Sequence, residues 1–145
     1  MIEDKIGKKS YLGIIIDYDR EKDFDKFSID TLKDRYFWDN ETHAQEALAR
    51  ASVFGATFKG ETDYEMAQRL YEYSSNRWFM FSTPILSNGG TTRGLPISCF
   101  LNYVPDSRGG LSNHYDENIW LASSGGGIGG YWGDIRSNGI STTHG

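Results

Sequence analysis

The chain predicts an α/β protein in which a helical stretch leads into short strands joined by tight turns. Two observations carry this. Between 39 and 77 apolar residues recur at helical spacing, whereas from 78 onward brief apolar runs alternate with turn residues. All three prolines, the single cysteine and two glycine-rich stretches fall between Ser82 and Arg136. The chain therefore divides into an irregular segment (1–38), a helical region (39–77) and a region of strands and loops (78–145).

Taken in order, Tyr11–Ile16 reads as a β-type run ended by Asp17-Tyr18-Asp19, and the alternating charges of Arg20–Lys26 read as a solvated surface. Tyr36-Phe37-Trp38 is an aromatic anchor for the helices that follow. Asp39 or Asn40 can cap a helix whose apolar face is Ala44, Ala47, Leu48, Ala51 and Phe54, and Gly55 can end it. Thr62-Asp63-Tyr64-Glu65 has the form of a capping box, opening a helix that runs to about Arg77. Trp78–Phe81 reads as a buried strand that delivers Ser82 and Thr83 to its end. Ile97–Leu101 reads as a second strand and Ile128–Ile135 as a third extended segment. Between them Ser112 can cap a helix over 113–123, with Tyr115, Ile119, Trp120 and Ala122 facing inward.

The chemistry-bearing residues lie in the last region. Cys99 sits in an apolar run bounded by Gly94-Leu95-Pro96 and Pro105-Asp106, as either a small buried hydrophobe or a redox or nucleophilic thiol. Redox work needs a second thiol, and this chain has one cysteine. The run Gly125–Gly130 cannot be a helix interior, because each glycine there costs about 0.8–1.0 kcal/mol relative to alanine. It is either a packed or flexible loop, or bare backbone that a ligand approaches. Neither phosphate-loop template fits it: the Lys-Ser/Thr pair is missing, and extended residues follow where a helix should. His43, His114 and His144 stand alone, without metal-ligand spacing.

Composition bounds the remainder. With 38% hydrophobic and 14% aromatic residues the chain can bury a core, and its 145 residues amount to one domain at most. A net charge of −5 gives no footprint for a nucleic-acid backbone. No run approaches a membrane span, and the N-terminus lacks an apolar signal core. A lone cysteine agrees with a reducing, cytoplasmic location.

The ordered set STPILSNGG, ISCFL, PDS, a helix, GGGIGG and GDIRSNG resembles the large, catalytic subunit of ribonucleotide reductase, in a phage-like version of class I. The likeness runs without gaps from about Ser82 to about Gly139. It implies a helical N-terminal region leading into the first strands of the ten-stranded α/β barrel of that family, here incomplete. It also implies an oxidoreductase that converts ribonucleoside diphosphates to deoxyribonucleotides by thiyl-radical chemistry, with a disulfide as acceptor.

By the same resemblance, Thr83, Ser98, Cys99 and Gly127 contact substrate, and Cys99 is one of two cysteines that become a disulfide. Asp106, Ser107, Arg108 and Arg136 fall on the site for a deoxynucleoside triphosphate or ATP effector. No metal is implied in this chain. The radical is expected from a di-metal/tyrosyl centre in a separate small subunit, with adenosylcobalamin as the alternative, and thioredoxin or glutaredoxin as reductant. A homodimer contact through the helix after Asp106 is also implied. The family's N-terminal ATP-binding regulatory domain has no counterpart here, and the radical cysteine, base glutamate and second reducing cysteine lie beyond Gly145. The chain alone is therefore expected to be inactive, as a truncation or as one part of a split enzyme completed by a second chain. Two other readings stand beside this: a stand-alone nucleotide-binding module using Gly125–Gly130 and Asp106, and an interaction fragment that pairs with a complementary chain.

Overall fold

The computed structural model describes residues 7–140, which form two compact units, one ending at Pro96 and the other beginning at Ile97. The first opens with an antiparallel hairpin, β1 (Lys8–Tyr11) and β2 (Ile14–Asp17), where the sequence predicts a single run. Leu12 and Gly13 both have positive φ, which is what a two-residue turn of this hand demands. At Gly13 a Cβ would lie 2.3 Å from the Tyr64 ring, so glycine is required there twice over. A 3-10 turn (Tyr18–Asp23) follows, then α1 (Lys26–Arg35), capped by Asp25 accepting from the Ser28 amide. This helix corrects the irregular reading of 1–38. It buries only Leu32 and leans on Ile29, too narrow an apolar stripe to stand out among its charges.

The centre of the unit is α2 (Ala44–Gly55), buried around most of its circumference and packed on α3 (Tyr64–Ser75). Its four alanines let neighbouring elements approach closely. His43, rather than Asp39 or Asn40, is the N-cap, and Glu46 reaches back to accept from the His43 and Thr42 amides at 3.0 and 2.7 Å. The α3 cap is Asp63, accepting from Met66, because Thr62 is drawn into a small hairpin of β3 (Thr57–Phe58) and β4 (Glu61–Thr62). Gln68 on α3 exchanges two hydrogen bonds with the Ile15 backbone, acting as a strand neighbour for β2. Tyr71, fully buried, accepts from the Asp17 amide and donates to Gln45, and burial pushes its phenol pKa up.

Trp78–Phe81 is not a buried strand. It is irregular, with Trp78 and Met80 exposed and Trp78 leaning on Tyr73 at 5.5 Å between ring centroids. No strand among the described residues lies beside it, so its apolar run has nothing to pair with. It leads into the short helix α4 (Thr83–Asn88).

Arg50 of α2 ties these pieces together. Its guanidinium donates to both Glu41 carboxylate oxygens (2.6 and 3.2 Å) and to the carbonyls of Tyr36, Leu86 and Gly89 (3.0, 3.0 and 2.7 Å). Both charged side chains are almost wholly buried.

The second unit is a parallel pair, β5 (Cys99–Tyr103) and β6 (Gly127–Tyr131), connected through α5 (Arg108–Ser123). The α5 helix begins a turn earlier than the sequence predicts, at the Ser107 cap, because Gly110 packs directly on Pro105 and a helix N-terminus tolerates glycine. Its face is also reversed: His114 is buried toward the strands, with Leu111, Asn118 and Leu121 partly covered beside it, while Tyr115, Ile119, Trp120 and Ala122 are exposed. The expected extended run to Ile135 stops at Tyr131 and gives way to a turn.

Removing one member of the buried Arg50–Glu41 pair strands the other. Arg50→Met is expected to destabilise the chain by about 3–5 kcal/mol in urea denaturation, and Arg50→Met with Glu41→Leu by less than Arg50→Met alone.

Candidate functional site

The expected site residues fall into three groups. Thr83 belongs to the first unit, as the first residue of α4 after the Ser82 N-cap. It is exposed at the rim of an apolar hollow of about 250 Å³ lined by Phe24, Leu32, Tyr36, Phe81 and Leu86, and its hydroxyl lies 3.4 Å from the Tyr36 hydroxyl. The others lie in the second unit, at opposite ends of one strand pair.

Ser98, Cys99 and Gly127 share the N-terminal end. Cys99 opens β5 and stands directly opposite Gly127 of β6, whose amide donates to the Ser98 carbonyl at 2.6 Å. The thiol is exposed, which removes the buried-hydrophobe reading of Cys99. Alternation along the strands puts Cys99, Leu101 and Tyr103 on the face away from α5, while Phe100 and Asn102 turn toward the helix. Opposite the outward residues stand Gly127, Gly129 and Tyr131. The floor beside the thiol is thus bare backbone.

The glycine run serves several purposes rather than one. Gly125, at φ +81°, ends α5: its amide donates to the Ala122 carbonyl and the next amide to Leu121, the two bonds of a Schellman cap. Gly126 lies under Phe100, where a Cβ would meet the ring at 2.3 Å. Gly130 lies against His114 and Trp132. At Gly127 a Cβ would meet only the Ser98 carbonyl, at an ordinary 3.5 Å. Nothing described in this chain requires glycine there.

Asp106, Ser107, Arg108 and Arg136 gather at the other end. Asp106 and Arg136 form an ion pair of 2.5 Å, each about one-third exposed. The Ser107 hydroxyl is engaged as the α5 cap, accepting from the Gly110 amide at 2.9 Å, and Arg108 is the first residue of that helix. The positive end of α5 and the Arg136 guanidinium therefore flank one carboxylate, an arrangement that suits an anionic ligand once Asp106 gives way.

Sequence reading overlooked two polar groupings nearby. Asn102 donates to Glu117 and Asn118, and the Asn118 amide faces His114 Nε2 at 2.9 Å, so His114 is a buried packing residue. Tyr103 stacks on Tyr131, with centroids 6.1 Å apart, and its hydroxyl donates to Asp134 at 2.9 Å. Only the helical spacing of His114 and Asn118 could have hinted at the first. Among the described residues, no three His, Cys, Asp or Glu side chains converge as a metal site would need, and no helix is long and apolar enough to cross a membrane. His144 lies outside the described residues.

A family model described as the all-alpha domain of ribonucleotide reductase matches residues 22–94. The chain belongs to this family. It is 40% identical over 116 residues to the ribonucleoside-diphosphate reductase large subunit of Invertebrate iridescent virus 6, which takes in 80% of this chain and 12% of the viral protein. It is 32% identical over 133 residues to the alpha subunit of the Helicobacter pylori ribonucleoside-diphosphate reductase, taking in 89% of this chain and 17% of that one. Among solved structures, the Actinobacillus ureae class Id ribonucleotide reductase alpha subunit superposes with a TM-score of 0.62 at 33% identity, over 81% of this chain and 22% of its own. The chain thus spans less than a quarter of the length of these relatives. The fold seen, helices with a few strands, matches that part of a ribonucleotide reductase alpha subunit.

Two neighbouring glycines differ in structural demand. Gly126→Ala should destabilise by about 1–3 kcal/mol, because the Phe100 ring must move, whereas Gly127→Ala should leave the urea midpoint nearly unchanged.

Proposed function

We propose that this chain forms part of the catalytic large subunit of a ribonucleoside-diphosphate reductase and supplies one reducing thiol, part of the substrate floor and much of an effector site. The observation that carries the reading is the exposed Cys99 thiol opposite the unobstructed Gly127 backbone. A thiol that must meet both a ribose and a second thiol needs open space on one face. Glycine opposite provides it.

In this reading β5 and β6 are the opening strands of the ten-stranded barrel. The remaining strands come from polypeptide beyond these residues, whether continuous with them or on a second chain. Ser98 and Gly127 contact the ribonucleoside diphosphate through hydroxyl and main-chain groups, and Thr83 is assigned a substrate contact by the family resemblance alone. The ribose 2′-hydroxyl leaves as water and hydrogen takes its place. The two electrons come from two thiols, Cys99 and a partner outside this chain, which close to a disulfide as their protons are given up. Bridging requires the two cysteine Cα atoms to come within about 7 Å. Thioredoxin or glutaredoxin then reopens the disulfide.

The radical that starts the reaction comes from a di-metal/tyrosyl centre in a separate small subunit, or from adenosylcobalamin. At the far end of the strand pair, Asp106, Ser107, Arg108 and Arg136 take a deoxynucleoside triphosphate or ATP. The Arg136 guanidinium suits phosphate oxygens and the Asp106 carboxylate suits ribose hydroxyls. The exposed Tyr115, Ile119 and Trp120 of α5 supply a homodimer contact. The assembly works in the cytoplasm.

The test uses enzyme assembled from this chain and the remaining large-subunit sequence. Cys99→Ser keeps the side-chain size but cannot form a disulfide, so turnover with a dithiol reductant should vanish while substrate binding stays within about two-fold. Sustained turnover by Cys99→Ser would overturn the assignment.

A further inference from the structure

The two loops that carry Asp106 and Arg136 are held together by more than their own ion pair. Tyr103 is the last residue of β5 and Tyr131 the last of β6, and the two are register partners. Their rings stack at 18° between planes, and the Val104 amide donates to the Tyr131 carbonyl at 3.0 Å. From this end Tyr103 reaches across to the turn after β6 and donates to Asp134, two residues before Arg136. The same turn is shaped by Tyr131: a Cβ at Gly133 would fall 2.4 Å from the Tyr131 hydroxyl.

The turn bearing Arg136 is therefore tied to the end of β5 by the Tyr103–Asp134 bond and to the loop after β5 by Arg136, which donates to the Asp106 carboxylate and, at 3.4 Å, to the Asp106 carbonyl. These have different fates when an anion arrives. A phosphate drawn to Arg136 competes with Asp106, so the ion pair is the bond that a ligand breaks. The Tyr103–Asp134 bond involves neither Asp106 nor Arg136 and survives.

We infer that Tyr103 and Asp134 are positioning residues for nucleotide binding, holding the Arg136 turn in place after the Asp106–Arg136 pair opens. The inference rests on the proposal that Asp106 and Arg136 form an effector site for a deoxynucleoside triphosphate. Without the clamp, a guanidinium released from Asp106 sits on a turn held by its backbone and by the Trp132 ring against His114, and binding must then order the part of the turn beyond Trp132. With it, the turn is ordered beforehand. The carboxylate acceptor also holds the Tyr103 phenol protonated and raises its pKa, so the clamp is intact below the ordinary tyrosine range and released as pH rises through the raised value.

The experiment is calorimetric titration of the full chain with deoxythymidine triphosphate. Loss of one ordering hydrogen bond in Tyr103→Phe or Asp134→Ala should raise Kd by about three- to ten-fold. The double variant should be no worse than either single one, because both remove the same bond. Asp134→Asn, which keeps a side-chain carbonyl as acceptor, should restore binding to within about two-fold of the parent. Urea midpoints of all four variants should match the parent. A tyrosinate absorbance difference between the parent and Tyr103→Phe should place Tyr103 above ordinary tyrosine, and the same difference taken in the Asp134→Ala background should return it to the ordinary range.

Parent-like binding by Tyr103→Phe and Asp134→Ala would overturn the clamp and leave the effector site standing. Weakened binding accompanied by a fall in urea midpoint, with no rescue by Asp134→Asn, would make the pair a folding element only and would also overturn it. Failure of the parent chain to bind the nucleotide would remove the effector site, and the clamp with it.

Discussion

The first unit depends on one buried cation. Arg50 projects from the most enclosed helix of the unit, where an unpaired guanidinium would be strongly disfavoured. Its partners lie on three other segments: the end of α1 at Tyr36, the loop carboxylate of Glu41, and α4 with its C-cap at Leu86 and Gly89. Glu41 in turn accepts from the Trp38 amide at 2.8 Å. The planar fork of arginine satisfies all of these together, which the single ammonium of a lysine could not do. Because α4 begins at Thr83, the placement of that hydroxyl is set partly from Arg50.

The helices of the first unit were legible where an apolar stripe was broad, as in α2, and illegible where tertiary contact supplied the stability. Helix α1 buries one leucine, and its charges look like any solvated stretch. The hairpin turn at Leu12-Gly13 was hidden because Leu12 adopts a positive φ that nothing in its side chain announces. Trp78–Phe81 has the composition of a strand, and no strand lies beside it among the described residues. Composition selects what a segment can do, and pairing decides what it does.

In the second unit the motif order was legible and the geometry was not. One reading of the Gly125–Gly130 run took it as a single loop. Its members answer to different constraints: a helix cap at Gly125, an aromatic ring at Gly126, an open face at Gly127, the Leu101 side chain at Gly129 and a buried histidine at Gly130. Period-based reasoning also put the wrong face of α5 inward. The large apolar side chains Tyr115, Ile119 and Trp120 look like core, yet the strands are covered by the more polar stripe of Leu111, His114, Asn118 and Leu121. The Asn102–Asn118–His114 chain of hydrogen bonds supports that arrangement by giving Asn118 Oδ1 and His114 Nε2 a partner each, while Asn102 Oδ1 and His114 Nδ1 are buried without a hydrogen bond. The apolar face of α5 is thereby left outward, where the proposed dimer contact needs it.

The parallel pair sets the relation between the two proposed sites of the second unit. Cys99 and Tyr103 are four residues apart on one strand, roughly 13 Å at the usual strand rise. Ladder hydrogen bonds hold β6 in register, so Gly127 and Tyr131 cannot slide independently of their partners. A one-residue slip would also turn Cys99 toward α5 and bring Phe100 outward. Phe100 over Gly126 and Asn102 on Asn118 both oppose that slip. The residues that look least functional in this unit are thus the ones that keep the thiol on the open face.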